Sequence, residues 1–195
     1  EAASRFQREA RAVTKLGSQH VARVLDVGQL QNGVPYLVME YLDGKDLYRL
    51  LREGYVFAVP EAIDYVVQAA EALAEAHRSG IIHRDVKPAN LFLTRRADDR
   101  PLIKVLDFGI SKVVGGDEQR DVSLTQTTTI LGSALYMAPE QMKSSKNVDQ
   151  RSDVYSLGVC LFELLGREQP FFAETFPELC AKVYTSSPKS LRELR

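Results

Sequence analysis

The stretch His83-Arg84-Asp85-Val86-Lys87-Pro88-Ala89-Asn90, followed downstream by Asp107-Phe108-Gly109, decides how this chain is read. It places a carboxylate, an ammonium and an amide within one short loop, with a second carboxylate arriving from another. A triphosphate, its metal ions and an attacking hydroxyl need that set of groups.

Outward from this stretch, the chain alternates short β-type runs with helical ones. Phe6, Ala10, Val13 and Leu16 recur at helical spacing over residues 1–16, with Gly17 able to end the helix. Glu9 borders the inward face of that helix. Residues 21–29 and 35–41 read as strands joined by the turn Gln31-Asn32-Gly33, and residues 46–52 as a short helix after Asp43-Gly44. Pro60 opens a longer helix with Ile63, Val66, Val67, Ala70, Leu73 and Ala74 as its apolar stripe, closed by Gly80. Residues 91–94 and 103–106 form an expected hairpin beside the quoted loops. Residues 115–129, rich in Gly, Ser, Thr, Gln and Asp, read as a mobile loop. Residues 154–165 are apolar nearly all round, which predicts a helix buried on every side, and residues 176–184 read as a last helix.

A length of 195 residues with 45% hydrophobic content allows one sizeable core. The net charge is −1, the pI lies near 6.4, and no long basic run occurs, so neither nucleic acid nor an anionic membrane is an expected partner. No stretch reaches the length of a membrane span and the start has no signal-peptide layout. Cys160 and Cys180 lack metal-ligand spacing and read as reduced core cysteines of a cytoplasmic protein. The abrupt helical opening reads as a cut through a domain.

The order and spacing of the quoted residues resemble the H-R-D-x-x-x-x-N catalytic loop and D-F-G metal loop of eukaryotic-like (Hanks-type) bacterial serine/threonine protein kinases. Ala138-Pro139-Glu140 resembles the element closing the activation segment, and Ser152-Asp153-Val154-Tyr155-Ser156-Leu157-Gly158 the start of helix F, whose aspartate ties down the catalytic loop. The resemblance implies an α+β kinase-like fold, with residues 1–42 as a partial N-lobe (helix C, two strands and the hinge) and 43–195 as a C-lobe lacking its last helices. It implies ATP and Mg²⁺ as cofactors and protein substrates with Ser or Thr acceptors. It also allows a dimer for autophosphorylation.

Carried over by position, Asp85 orients or accepts the proton of the attacking hydroxyl, and Lys87 sets its ammonium against the γ-phosphate. Asn90 and Asp107 supply oxygen ligands to magnesium. Met39 stands at the gatekeeper, Glu40 and Leu42 at the hinge that bonds adenine, Asp46 at the ribose and Phe92 at the floor of the adenine pocket. Glu9 stands at the helix-C glutamate. Leu25, Val13, His83 and Phe108 fall where kinases stack a hydrophobic spine. Lys87 favours the serine/threonine branch. Gly132-Ser133 departs from the usual Gly-Thr, although serine keeps the hydroxyl that can bond the catalytic aspartate and lysine. Arg84 is the expected partner of a phosphate on the loop threonines, Thr125 or Thr127 foremost.

The family's Gly-rich loop and strand-3 lysine do not precede Glu9; residues 1–8 hold no lysine and no glycine. The resemblance is therefore to a kinase domain truncated at both ends, and the chain alone is expected to transfer little or no phosphate. Two other readings are a pseudokinase or scaffold, against which the full set of Asp85, Lys87, Asn90 and Asp107 argues, and a small-molecule phosphotransferase, against which Ala138-Pro139-Glu140 argues.

Overall fold

The computed structural model describes residue 10 and residues 12–108, 132–144 and 148–194. Strands β1 (Val24–Gln29) and β2 (Pro35–Met39) form an antiparallel ribbon, and β3 (Lys45–Asp46), β4 (Leu91–Arg95) and β5 (Pro101–Val105) an antiparallel three-stranded sheet in that order. Among the described residues the longer helices are α1 (Leu47–Arg52), α2 (Val59–Arg78), α3 (Pro139–Lys143), α4 (Arg151–Gly166) and α5 (Phe176–Thr185). The architecture is the expected α+β mixture, mainly helical beyond the ribbon.

The ribbon's turn closes with Leu30 N–H donating to the Val34 carbonyl at 2.8 Å, and Gly33 supplies the positive φ of 85° that the turn requires. Val24 pairs with Met39 but Asp26 with Val38, so Leu25 is the extra residue of a bulge. Leu25 is 59% exposed while Val24 is buried, which removes Leu25 from the spine expected for it. One residue of slip on a strand exchanges its faces, and the bulge is invisible to sequence periodicity. The other three spine residues, Val13, His83 and Phe108, are buried. The segment before β1 docks on the second sheet, where Val105 N–H donates to the His20 carbonyl at 2.8 Å and Ala22 N–H to the Val105 carbonyl at 3.0 Å.

Helix α2 starts with Pro60 in its first turn, and the Glu61 carboxylate accepts from the backbone N–H of Ala58 at 3.2 Å. Its buried face corrects the expected stripe. Ala62, Tyr65, Gln68, Ala69, Ala72, Leu73 and Ala76 are buried, whereas Ile63, Val67, Ala70 and Ala74 are exposed and Val66 is half-buried. Both faces carry apolar residues, so periodicity alone could not choose between them. The alanine face wins because small side chains admit close approach of α4 and β5, and because Gln68 Oε1 accepts the Ile103 N–H at 2.9 Å.

Helix α4 also departs from expectation. Within residues 154–165, Val154 is 63% exposed and Leu161, Phe162 and Leu165 are half-buried, while Ser156 and Glu163 are buried; Asp153, just before that run, is buried where its anchoring of the loop was expected. The inward face is thus chosen by polar groups with partners waiting for them. Cys160 is fully buried on this helix, and Cys180 on α5 is only half-buried, at the margin of the core; both are free thiols. Alongside the main core, a small second cluster forms around Ala134, Ala173 and Leu179.

Candidate active site

The hairpin β4–β5 sets the site. Leu91 pairs with Val105 at its open end, and Leu106 N–H donates to the Asn90 carbonyl at 2.9 Å. Asn90, just before β4, and Asp107, just after β5, therefore leave the sheet side by side. A 3₁₀ turn over Pro88–Asn90 closes with Asn90 N–H on the Lys87 carbonyl at 2.9 Å, turning the loop back into the strand.

The loop is anchored from beneath by Asp153 of α4, a fully buried carboxylate. Its Oδ2 accepts the His83 N–H at 2.9 Å and its Oδ1 the Arg84 N–H at 2.8 Å, and His77 Nε2 of α2 lies 2.7 Å from Oδ2. Hydrogen bonds to an ionised acceptor are about twice as strong as neutral ones. They hold Arg84 at φ 64°, a left-handed conformation that costs a non-glycine residue roughly 1–2 kcal/mol. Asp107 is likewise left-handed, at φ 53°.

The His83 ring is buried. Its Nε2 can only donate to the Leu106 carbonyl, at 2.8 Å, which leaves Nδ1 to accept the Asp85 N–H at 3.3 Å. The ring also packs against Phe108, centroids 4.8 Å apart. One imidazole thus links the catalytic-type loop to the Asp107 loop, a connection the motif spacing alone does not reveal.

Within the loop, Lys87 Nζ bridges Asp85 Oδ2 and Ser133 Oγ, both at 2.9 Å. Asn90 Nδ2 donates to the Asp85 carbonyl at 2.8 Å and lies 3.3 Å from Asp85 Oδ2. The amide nitrogen faces Asp85, so Asn90 Oδ1 is the end left to meet a cation or donor. The Asp107 carboxylate is exposed. Among the described residues no group of three or more His, Cys, Asp or Glu could cage a metal. One carboxylate and one amide oxygen nevertheless fit Mg²⁺, which binds through few protein groups and relies on phosphate and water for the rest.

The residues expected on the nucleotide side fall along the two sheets and the segment between them. Met39 ends β2, and half-buried Leu42 lies three residues on, outside regular structure. Glu40 N–H donates to the Arg23 carbonyl at 2.9 Å, while its carboxylate accepts the Arg23 N–H at 2.8 Å and pairs with Lys104 Nζ of β5 at 2.7 Å. Burial pushes the Glu40 carboxyl up, but Lys104 and the Arg23 amide outweigh it and hold the group below its ordinary value. Asp46 faces Phe92 in the β3–β4 pairing, and its Oδ1 caps α1 by accepting the Arg49 N–H at 2.8 Å. Next to it, Gly44 sits at φ 147° against the Leu93 carbonyl, where a Cβ has no room. Glu9, Gly109, Thr125 and Thr127 lie outside the described residues.

Sequence reasoning missed a second buried cluster at the site's edge. Tyr136 Oη donates to Glu163 Oε2 at 2.6 Å, and Gln169 Nε2 reaches Glu163 Oε1 at 3.0 Å and Tyr136 Oη at 3.1 Å. Burial pushes the Glu163 carboxyl above its ordinary value, against the opposing bonds from Tyr136 and Gln169. Its only sequence signal was a lone carboxylate within the apolar run of α4. Gln141 was also missed; its Nε2 donates to the Arg84 carbonyl at 3.1 Å, joining the Ala138-Pro139-Glu140 segment to the loop.

With this geometry in hand, comparison with known proteins is direct. The profile of the protein kinase domain matches residues 1–191, and the chain belongs to that family. It is 36% identical over 185 residues to serine/threonine-protein kinase pkn3 of Myxococcus xanthus, covering 95% of this chain and 34% of that protein. It is 39% identical over 174 residues to serine/threonine-protein kinase PknB of Mycobacterium leprae, covering 88% of this chain and 26% of that protein. The kinase domain of PknI from Mycobacterium tuberculosis superposes with a TM-score of 0.69 at 30% identity, covering 98% of this chain and 63% of that one. The chain thus has the protein-kinase fold and spans about a third or less of the length of these curated relatives. Among the described residues no helix is long and apolar enough to cross a membrane.

Proposed function

We propose that this chain carries the catalytic loop of a serine/threonine protein kinase, which in the full-length protein moves the γ-phosphate of ATP to Ser or Thr hydroxyls of proteins. The observation that carries the reading is the Lys87 ammonium bridging Asp85 Oδ2 and Ser133 Oγ. That bridge puts a base and a cation at one point, with Asn90 holding the base from the other side. Asp85 accepts or orients the acceptor's hydroxyl proton, and Lys87 lies over the oxygens of the transferred group. Asn90 Oδ1 and the Asp107 carboxylate hold magnesium, which when bound neutralises the phosphate charge.

In the same reading, Met39, Glu40, Leu42, Asp46 and Phe92 form the nucleotide side and Glu9 belongs to helix C. Residues 1–42 are the small-lobe part and 43–195 the large-lobe part. Arg84 receives a phosphate on Thr125 or Thr127. This segment acts in the cytoplasm on protein substrates, in a parent that a span outside it could anchor to a membrane, and the reading allows a dimer for autophosphorylation.

The test is the full-length protein with Mg-ATP and a mixed protein acceptor. Phosphoserine or phosphothreonine should form, and Asp85→Asn should lower kcat by about 10²- to 10⁴-fold while nucleotide binding persists. Nucleotide or partner binding with no transfer by the unaltered protein would instead identify a pseudokinase scaffold.

A further inference from the structure

Lys87, which holds Asp85, also lines a groove of about 940 Å³ whose walls include Tyr48, Arg52, Tyr136, Arg167 and Phe172. Lys87 Nζ bonds Asp85 Oδ2 at 2.9 Å, so the groove adjoins the proposed base.

The charges in the groove do not balance. The buried Glu163 carboxylate is turned inward onto Tyr136 and Gln169, with both oxygens bonded. Glu168 is paired with Lys189 at 2.8 Å, and Lys87 with Asp85 at 2.9 Å. Arg52, in the last turn of α1, and Arg167, just past α4, are exposed and have no carboxylate partner among the described residues. Two guanidinium groups from separate elements therefore face the same groove without a counter-charge.

Arg167 carries a second indication. It caps α4 at φ 60°, a left-handed position where glycine is the favoured residue because it has no Cβ. An arginine there adds backbone strain and gains no intramolecular ion pair among the described residues. Backbone strain without an intramolecular gain is grounds to look for a use beyond the helix.

We infer that this groove selects acceptor segments bearing acidic residues beside the Ser or Thr, with Arg52 and Arg167 as the specificity-determining residues. The planar guanidinium fork matches a carboxylate through two parallel N–H···O bonds, and the half-exposed ring of Tyr48 and the exposed ring of Phe172 flank the aliphatic part of the segment. The inference rests on the kinase reading above and assigns its class of substrate.

The experiment uses the full-length protein and three peptides with one Thr flanked by Asp and Glu, by Ala, or by Arg. Two quantities are read, kcat/KM for phosphorylation and the anisotropy-derived Kd of the same peptides with Thr replaced by Ala. The acidic peptide should exceed the alanine peptide by about tenfold in both. Arg52→Glu with Arg167→Glu should invert that order, and Arg52→Gln with Arg167→Gln should bring the ratio near one and serves if the reversal variant does not fold. Equal or Arg-favouring ratios in the unaltered protein, or ratios the variants leave unmoved, overturn the inference while leaving the kinase reading in place. Absence of transfer to every peptide overturns the kinase reading, and the binding ratios still decide the groove.

Discussion

The catalytic-type loop and the β1–β2 ribbon are both short, both carry predicted functional residues, and are held in opposite ways. The loop is fastened by buried polar groups from distant parts of the chain: Asp153 and His77 from two helices, and Leu106 and Ser133 from flanking segments. The ribbon is held mostly by its own ladder, and Leu25, Leu30, Val34 and Val38 stay exposed. Two strands alone are marginal in water. Its main polar ties to the rest are the Glu40–Lys104 pair and the backbone bonds of His20 and Ala22 to Val105. The loop is therefore fastened through one buried carboxylate that collects backbone donors, whereas the ribbon relies on its own ladder, on Val24, Val27 and Leu37 against the core, and on few polar ties.

The largest expected effect is that of Asp153→Ala. It strands two backbone N–H groups at His83 and Arg84 in the interior, at about 1–3 kcal/mol each, and removes the force that keeps Arg84 left-handed. Denaturant midpoints should report a loss of about 4 kcal/mol. A loss under about 1 kcal/mol would break the contrast between loop and ribbon.

Tyr136→Phe should cost about 1–3 kcal/mol at neutral pH by leaving the buried Glu163 carboxylate short of a donor. The sign with pH follows from the raised Glu163 value. A carboxyl that binds its proton more tightly when folded gains relative stability as pH falls through the folded value toward the unfolded one, about 4.3. The penalty of Tyr136→Phe should therefore shrink on acidification in that window, which thermal melts across the range would show; a penalty constant with pH counts against the Glu163 account.

Lys104→Met should have the smallest effect, about 1 kcal/mol at neutral pH, because the pair it breaks is only partly buried. Here the sign is opposite. The Glu40 value is lowered, so its contribution is present above about pH 4.3 and disappears as pH falls through the folded value. Paired melts of the two proteins should converge in acid. If they differ by as much as Asp153→Ala does, the ribbon is fastened more firmly than its contacts indicate.

Much of this molecule was readable from the sequence because its signals are local. The ribbon turn, the Pro60 helix start and the β4–β5 hairpin follow from turn residues and alternation. The Asp85-to-Asn90 loop carries its fixed spacing in plain view. The errors fall where two faces compete. Helix α2 has apolar residues on both sides, and the choice went to the alanines; the 154–165 stretch of α4 reads as apolar nearly all round, yet Ser156 and Glu163 point inward and Val154 outward. Partners such as Tyr136 with Glu163 stand 27 residues apart and leave no periodic trace.

The sequence by itself determined the family and the inventory of reactive groups, because both depend on residue type at fixed local spacing. Only the tertiary structure decided the meetings that no motif encodes. Tyr136 donates to Glu163, Gln141 reaches the Arg84 carbonyl, and Arg52 and Arg167 share a groove because helices packed from distant segments bring them there. The physical reason is that a buried polar group must find a partner or lose several kcal/mol, and that partner is set by packing in space rather than by order along the chain.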